Sequence, residues 1–510
     1  MIRCARPATR LVAAIAVSAA ALVSSARADV RLPNVLGSHM VVQRDVPLPV
    51  WGWAAPGEDV SVTFGDANAS TKADAEGKWQ VQLPAKQAGG PHKLSVVGRN
   101  KVELNDILVG EVWVCSGQSN MEWNVAISNN PEAEIAAANH PQIRLFHVPK
   151  RPSGTPQSDV TAEWKACTPK NIPTFSAVSY YFGRELNKEL NVPIGLINTS
   201  WGGTRIEPWT PPAGFESVKD VSDIAQIQTQ LAQMAETYKT AQTAAVEKVR
   251  EWASMAEKNL AAGKAVPELP QLPKSPIESH VVPTGLYNGM VHGLLPFPVR
   301  GAIWYQGESN LADGALYHHK MKALINGWRT VWNNPEMPFL FVQLAPFRYS
   351  KDDPTKLPLL WEAQTETLNV PNTGMAVTTD ISNILDIHPR NKQDVGKRLS
   401  LWALAKTYGR DGLVYSGPRY KSMKVEGETV RVEFDQPVAS RDGLPLSWFT
   451  IAGEDKTFVP AVAEIDGNSV VVRSLKVGRP TAVRFAWHGE AEPNLANKEG
   501  LPAIPFRTDK

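Results

Sequence analysis

The residues best equipped for chemistry in this chain sit in Gly117-Gln118-Ser119-Asn120-Met121. This stretch closes the apolar run Val112-Trp113-Val114-Cys115 and opens a polar segment compatible with a helix. A short buried strand ending in a Gly-X-Ser turn presents the serine hydroxyl at the carboxyl edge of a sheet, where open α/β sheets keep their reactive groups. The Ser119 N–H then lies at a helix start, where it can donate to a developing oxyanion. A serine that only caps the helix would leave the same trace, so the motif takes its meaning from what accompanies it.

Three segments accompany it. Gly301-Ala302-Ile303-Trp304-Tyr305-Gln306-Gly307-Glu308-Ser309-Asn310 again runs a buried strand into a glycine-containing turn crowded with polar side chains. Asp386-Ile387-His388-Pro389 stands directly before an amphipathic helical pattern. A histidine fixed there by the following proline can reach across the sheet edge, although alone it would more often pack or cap. Ser200-Trp201-Gly202-Gly203-Thr204-Arg205 follows another apolar run, and its paired glycines let backbone N–H groups approach a ligand closely. Together the four segments supply a nucleophile, a base, an acid partner and oxyanion donors, the parts that acyl transfer requires. Ser119 is followed by Asn120-Met121, so the Gly-X-Ser-X-Gly elbow of α/β-hydrolases is absent. A non-catalytic carbohydrate-binding protein is the competing class, but it has no need of Ser119, His388 and the glycine pair together.

The elements that must position these groups follow from the rhythm of apolar residues. Strands are expected at Val112–Cys115, Ile143–Val148, Ile194–Asn198, Ala302–Tyr305, Phe339–Leu344 and Met375–Thr379. Helical patterns separate or follow them at Phe175–Leu190, Tyr317–Trp332, Leu359–Leu368 and Lys392–Tyr408. This alternation predicts an α/β domain over 107–414 with a mostly parallel sheet covered on both faces. Residues 29–106 and 415–510 read instead as flanking β domains of sandwich type, with short alternating strands between Gly, Asp, Asn and Pro turns. Residues 217–264 break the rhythm as a long surface helix or helical pair, followed by a loop carrying Pro267, Pro270, Pro273 and Pro276.

Residues 1–28 read as a secretory signal: Arg3, Arg6 and Arg10, an apolar run from Leu11 to Val23, and the small-X-small site Ala26-Arg27-Ala28. The expectation is a secreted or periplasmic protein with no membrane span, since no apolar run approaches the roughly 20 residues needed. Cleavage would remove four of the 53 basic side chains and none of the 51 acidic ones. The resulting near-neutral charge, without a basic block, argues against nucleic acid or an anionic membrane as partner. Of the 3 cysteines, Cys115 and Cys167 would remain. Export permits a disulfide between them, and a free buried thiol at Cys115 is equally compatible. No spacing of histidines or cysteines predicts a metal site. Oligomeric state is not legible. Most of the 16 tryptophans are expected in packing, some on sugar rings.

The blocks Gly117–Met121, Trp201–Thr204, Trp304–Asn310 and Asp386–Pro389 together resemble the sialate O-acetylesterase family of SGNH-type hydrolases, over about residues 30 to 410. The resemblance implies a flavodoxin-like core and serine hydrolysis of acetyl esters on carbohydrates without metal or organic cofactor. Acetylated sialic acids are the first substrate it implies, with acetylated xylan or other plant polysaccharide as the alternative. Ser119 resembles the nucleophile and His388 the general base. The N–H groups of Ser119 and Gly203, with a side chain of the third block, would form the oxyanion hole. Asn310 takes the place of the oxyanion asparagine, and Gln306 is a second choice. The wider pattern puts the acid three residues before the histidine, where this chain has Leu385; Asp386 is the expected acid, with Glu308 or a backbone carbonyl as alternatives. Arg205 could hold a substrate carboxylate or pair with Glu207, and Trp123 could stack on sugar or pack under the loop.

Overall fold

The computed structural model describes residues 29–273, 279–349 and 353–509. The signal expected at 1–28 lies outside them, as does Pro276. Among the described residues the largest sheet has 11 strands. Its main path runs Thr373–Ala376, Phe339–Val342, Gly301–Tyr305, Lys101–Gly117, Ile194–Ser200, His140–His147 and Trp164–Cys167. Neighbours on this path are parallel except the last pair, which is antiparallel. The six parallel strands, numbered along the chain, follow the order 2-3-1-4-5-6. Connections therefore leave Lys101–Gly117 and Gly301–Tyr305 in opposite directions and open a crevice at their carboxyl ends.

Register explains why distant motifs meet there. Gly117 pairs with Ser200 on one side and with Tyr305 on the other. The turns that begin at Gln118, Trp201 and Gln306 thus leave the sheet at one level. The central strands are buried on both faces, as near-continuous apolar runs require. Helices Ala177–Leu190 and Lys392–Trp402 pack together over one side, and Leu316–Val331 packs beside Lys356–Glu366. Trp113, Trp209, Trp304, Trp328 and Trp361 are fully buried, so packing claims these five tryptophans.

Several elements differ from expectation. The strand expected at Met375–Thr379 is Thr373–Ala376, because its partner Phe339–Val342 ends with the pair Val342–Ala376. The short strand Trp164–Cys167 has no sequence signature of its own and exists by pairing with His140–His147. The insertion is one helix, Ser222–Ala261, whose residues are mostly exposed. A boundary at residue 106 would cut the strand Lys101–Gly117: its start pairs with Gly89–Val97 of the N-terminal β sheet, its end lies in the central sheet. Glu111 sits in that strand fully buried, and Arg300, Gln43 and Arg44 bond its carboxylate, tying the N-terminal strands to the core. Cys115 and Cys167 are both free and buried, so the permitted disulfide is not formed. Beyond residue 420, antiparallel sheets enclose a separate apolar cluster that includes Val432, Val470 and Phe485.

Candidate active site

Ser119 owes its position to the residue two before it. Gly117 has φ 143°, and a Cβ there would lie 2.1 Å from Tyr305 O, so only glycine lets the strand turn against its neighbour. The Gln118 N–H donates to Tyr305 O at 3.0 Å, and its Oε1 accepts from the Gln306 amide at 3.1 Å and from the Gly307 and Ser309 N–H groups, each at 3.3 Å. These bonds lock the first turn onto the third. Ser119 then begins the helix Ser119–Glu122. It does not cap it: Gln118 occupies the N-cap position, and the Ser119 Oγ lies 2.8 Å from His388 Nε2. A neutral imidazole in this geometry can accept the hydroxyl proton, the contact that turns a serine into a nucleophile.

Three contacts orient His388. Its ring stacks on Trp123, with centroids 5.0 Å apart and planes 17° from parallel. Its backbone N–H donates to Asp386 Oδ1 at 2.9 Å. The same Oδ1 stands 3.7 Å from Nδ1, beyond hydrogen-bond reach. Asp386 is therefore close enough to act on the imidazole by charge but does not hold its tautomer by a direct bond. The partial burial of His388 lowers its pKa below the ordinary 6.5, the positive charge of Lys392 lowers it further, and Asp386 opposes both. Trp123 spends one face on the imidazole and its indole N–H on Ile127 O at 3.0 Å.

Glu308, the alternative acid, bonds elsewhere. Its Oε1 accepts from the Asn120 amide at 2.5 Å, and Oε2 is buried without a hydrogen-bond partner. Burial pushes this carboxyl up, against the pull of neighbouring backbone N–H groups, Asn120 and Lys392. Sequence reading passed over Asn120 and Lys392. Asn120 is fixed in the motif beside the serine; the only signal from Lys392 is a lysine on the apolar side of the helix that follows His388.

The third block does not supply an oxyanion donor from the two side chains expected of it. Asn310 is fully buried, its Nδ2 donating to Glu207 at 3.1 Å and Asp313 at 2.6 Å while its Oδ1 accepts from Ile206 N–H and Gln306. The Gln306 amide N–H groups go to Gln118, Thr204 O and Asn310. Both side chains are spent on structure, because the turn carries more polar groups than water can reach. The backbone N–H groups of Ser119 and Gly203 donate to no protein acceptor among the described residues. Gly203 holds φ 75°. Its neighbour Gly202 lies against Ser119, where a Cβ would come within 3.1 Å of the serine Cβ, and its N–H donates to Glu122 at 2.6 Å.

Arg205 lies at the same edge with its charge matched. It donates to Glu207 at 2.9 Å, to Asp313 at 3.0 Å and to Ser309 O at 3.1 Å. Lys320, buried where Arg205 is half-exposed, completes that ionic cluster, 2.7 Å from each carboxylate. Although burial alone would raise it, bonds and charge from Arg205 and Lys320 bring the Glu207 pKa down to about 2. Among the described residues no group of three or more His, Cys, Asp or Glu is placed to hold a metal ion, and no helix is long and apolar enough to cross a membrane.

The chain can be set beside known proteins on this geometry. The profile of the family described as "Carbohydrate esterase, sialic acid-specific acetylesterase" matches residues 109–249 and 275–403, which contain all four blocks. The sialate O-acetylesterase of Rattus norvegicus is 28% identical over 90% of this chain and 89% of its own length. That of Homo sapiens is 29% identical over 94% of this chain and 93% of its own. A solved structure described as a novel carbohydrate acetylesterase from Xanthomonas citri is 40% identical and superposes with a TM-score of 0.80, covering 94% of this chain and 100% of that one.

Proposed function

The chain belongs to the sialic acid-specific acetylesterase family of carbohydrate esterases, and from that premise we propose that it removes acetyl groups from sugar hydroxyls through an acetyl-Ser119 intermediate. The observation that carries this reading is the 2.8 Å contact between Ser119 Oγ and His388 Nε2. His388 takes the hydroxyl proton as Oγ bonds the acetyl carbonyl carbon. The N–H groups of Ser119 and Gly203 receive the negative oxygen. Collapse breaks the bond to the sugar oxygen, which leaves with the proton held by His388. The same imidazole then takes a proton from water as the water oxygen bonds the acyl carbon. Collapse breaks the Oγ–carbon bond, His388 returns the proton to Ser119 Oγ, and acetate leaves.

The names of the 28–29% identical relatives support acetylated sialic acid as the substrate. A second reading, a neutral acetylated plant polysaccharide, is favoured by Arg205, whose charge is matched by Glu207 and Asp313 rather than left for a substrate carboxylate. Acetate release from O-acetylated sialoglycoprotein against acetylated xylan separates the two. Exclusive activity on xylan would overturn the sialate reading; hydrolysis of neither, nor of a chromogenic acetate ester, would overturn the esterase reading.

Apart from the added strand His140–His147, the parallel strands run in the order 2-1-3-4-5, which supports reading the catalytic unit as a flavodoxin-like SGNH core. We read residues 29 to about 106 and 415–510 as its β flanks, the first sharing the strand Lys101–Gly117 with the core, and residues 1–28 as the signal that directs export to the periplasm or beyond.

A further inference from the structure

Beneath the serine and histidine lies a buried ammonium that the reaction as written does not use. Lys392, in the first turn of Lys392–Trp402, is 0% exposed. Its Nζ donates to Asn120 Oδ1 at 2.5 Å and lies 5.7 Å from the Trp123 ring and 5.3 Å from the Tyr305 ring. Asn120 in turn donates to Ile387 O at 3.0 Å and to Glu308 Oε1 at 2.5 Å. One side chain thus joins the residue after the serine, the carbonyl before the histidine and the carboxyl of the third block. The lysine secures it from below.

We propose that Lys392 is a positioning residue: acting through Asn120, its buried ammonium clamps the loop carrying His388 against the turn carrying Ser119, doing work that a triad acid bonded to Nδ1 would otherwise do. The inference rests on the Ser119–His388 reading and deepens it. A buried charge is costly unless it is bonded, and a lysine whose function was only to fill space would be better replaced by an apolar residue. The groups that face it are Glu308 from the third block, Asp386 and His388 from the preceding loop, and Tyr305 from the strand. Desolvation pushes Lys392 down to about 7, against the pull of the Glu308 and Asp386 charges. Its positive charge disfavours the imidazolium form of His388.

The test is steady-state hydrolysis of a chromogenic acetate ester by the full chain as a function of pH. Lys392→Met should lower kcat about 10²-fold, as loss of alignment does, with KM nearly unchanged. It should also move the acidic limb of kcat/KM to higher pH, because the cation that depresses the His388 pKa is gone. A lysine buried without its charge would not shift that limb, and one acting on His388 by charge alone would shift it without the fall in kcat. Asn120→Ala cuts the link to Ile387 and removes the acceptor of the Lys392 ammonium, so kcat should fall comparably. If Lys392→Met does not fold, Asn120→Ala decides alone. Near-normal kcat in whichever variant folds, or an unmoved limb in Lys392→Met, overturns the proposal. Ser119→Ala run alongside keeps the readings apart: if it is dead and Lys392→Met is normal, only the lysine proposal fails, whereas an active Ser119→Ala sinks the serine reading itself.

Discussion

The Trp123 indole lies nearly parallel to the His388 imidazole, 17° apart in plane and 5.0 Å between centroids. Such aromatic contacts contribute about 0.5–1.5 kcal/mol beyond their buried area, and here the contact fixes the plane from which Nε2 meets Ser119. Trp123→Ala should therefore lower kcat by roughly 10-fold, the kinetic equivalent of that energy, and Trp123→Phe should restore most of it. A Phe variant as poor as Ala would show that the indole N–H bond to Ile127 matters more than the stack.

The distances at Asp386 predict a mild phenotype. Replacing an aspartate bonded directly to the base costs about 10⁴-fold in kcat. Asp386 bonds the His388 N–H and stands 3.7 Å from Nδ1, so Asp386→Asn should cost about 10-fold or less, on the same scale. Glu308→Gln keeps a group able to accept from Asn120 and should leave the His388 titration in place. Kinetics of both variants check this, and a loss of several orders of magnitude in Asp386→Asn would mean that a direct bond to Nδ1 forms during turnover.

The pH dependence has a definite sign. His388 must be neutral to accept the serine proton, and its pKa is lowered by burial and by Lys392. On the acid side, activity should rise with pH along a limb whose midpoint falls below 6.5, the ordinary value. A midpoint above 6.5 in a kcat/KM profile would contradict the arrangement of charges described.

Asn310 should matter to stability rather than to chemistry. Its amide bonds two carboxylates, and Asn310→Ala leaves those groups short of a donor, at a cost of about 1–3 kcal/mol. The variant should melt earlier and yet, below its melting temperature, turn over ester at near the wild-type kcat. Loss of kcat by orders of magnitude in the folded variant would return Asn310 to the oxyanion hole.

The four chemical blocks were legible because glycines and polar residues crowd the ends of apolar runs, and parallel strands put such ends on one edge. The alternation of strands and helices gave the mixed α/β architecture for the same reason. What the sequence hid was how polar groups divide their bonds. Asn310 and Gln306 have the right chemistry for an oxyanion hole, but in the fold Glu207, Asp313, Thr204 and Gln118 have claimed their donors. Trp123 next to a serine motif suggests a sugar platform equally well, until a histidine from more than 260 residues away lies on it. Lys392 read as one polar residue at a helix start, because burial of its charge depends on Asn120 and on the rings of Trp123 and Tyr305. Trp164–Cys167 is a strand only because His140–His147 offers it an edge.

The central claim is that Ser119 carries the acetyl group. The most direct measurement is mass spectrometry of the protein after treatment with a serine-directed organophosphonate, with the labelled peptide sequenced, alongside the turnover of Ser119→Ala. The account predicts a single adduct on Ser119, none on the alanine variant, and a kcat at least about 10³-fold lower in a variant that remains folded. Near-normal turnover by Ser119→Ala, or an adduct elsewhere with Ser119 unmodified, would contradict it.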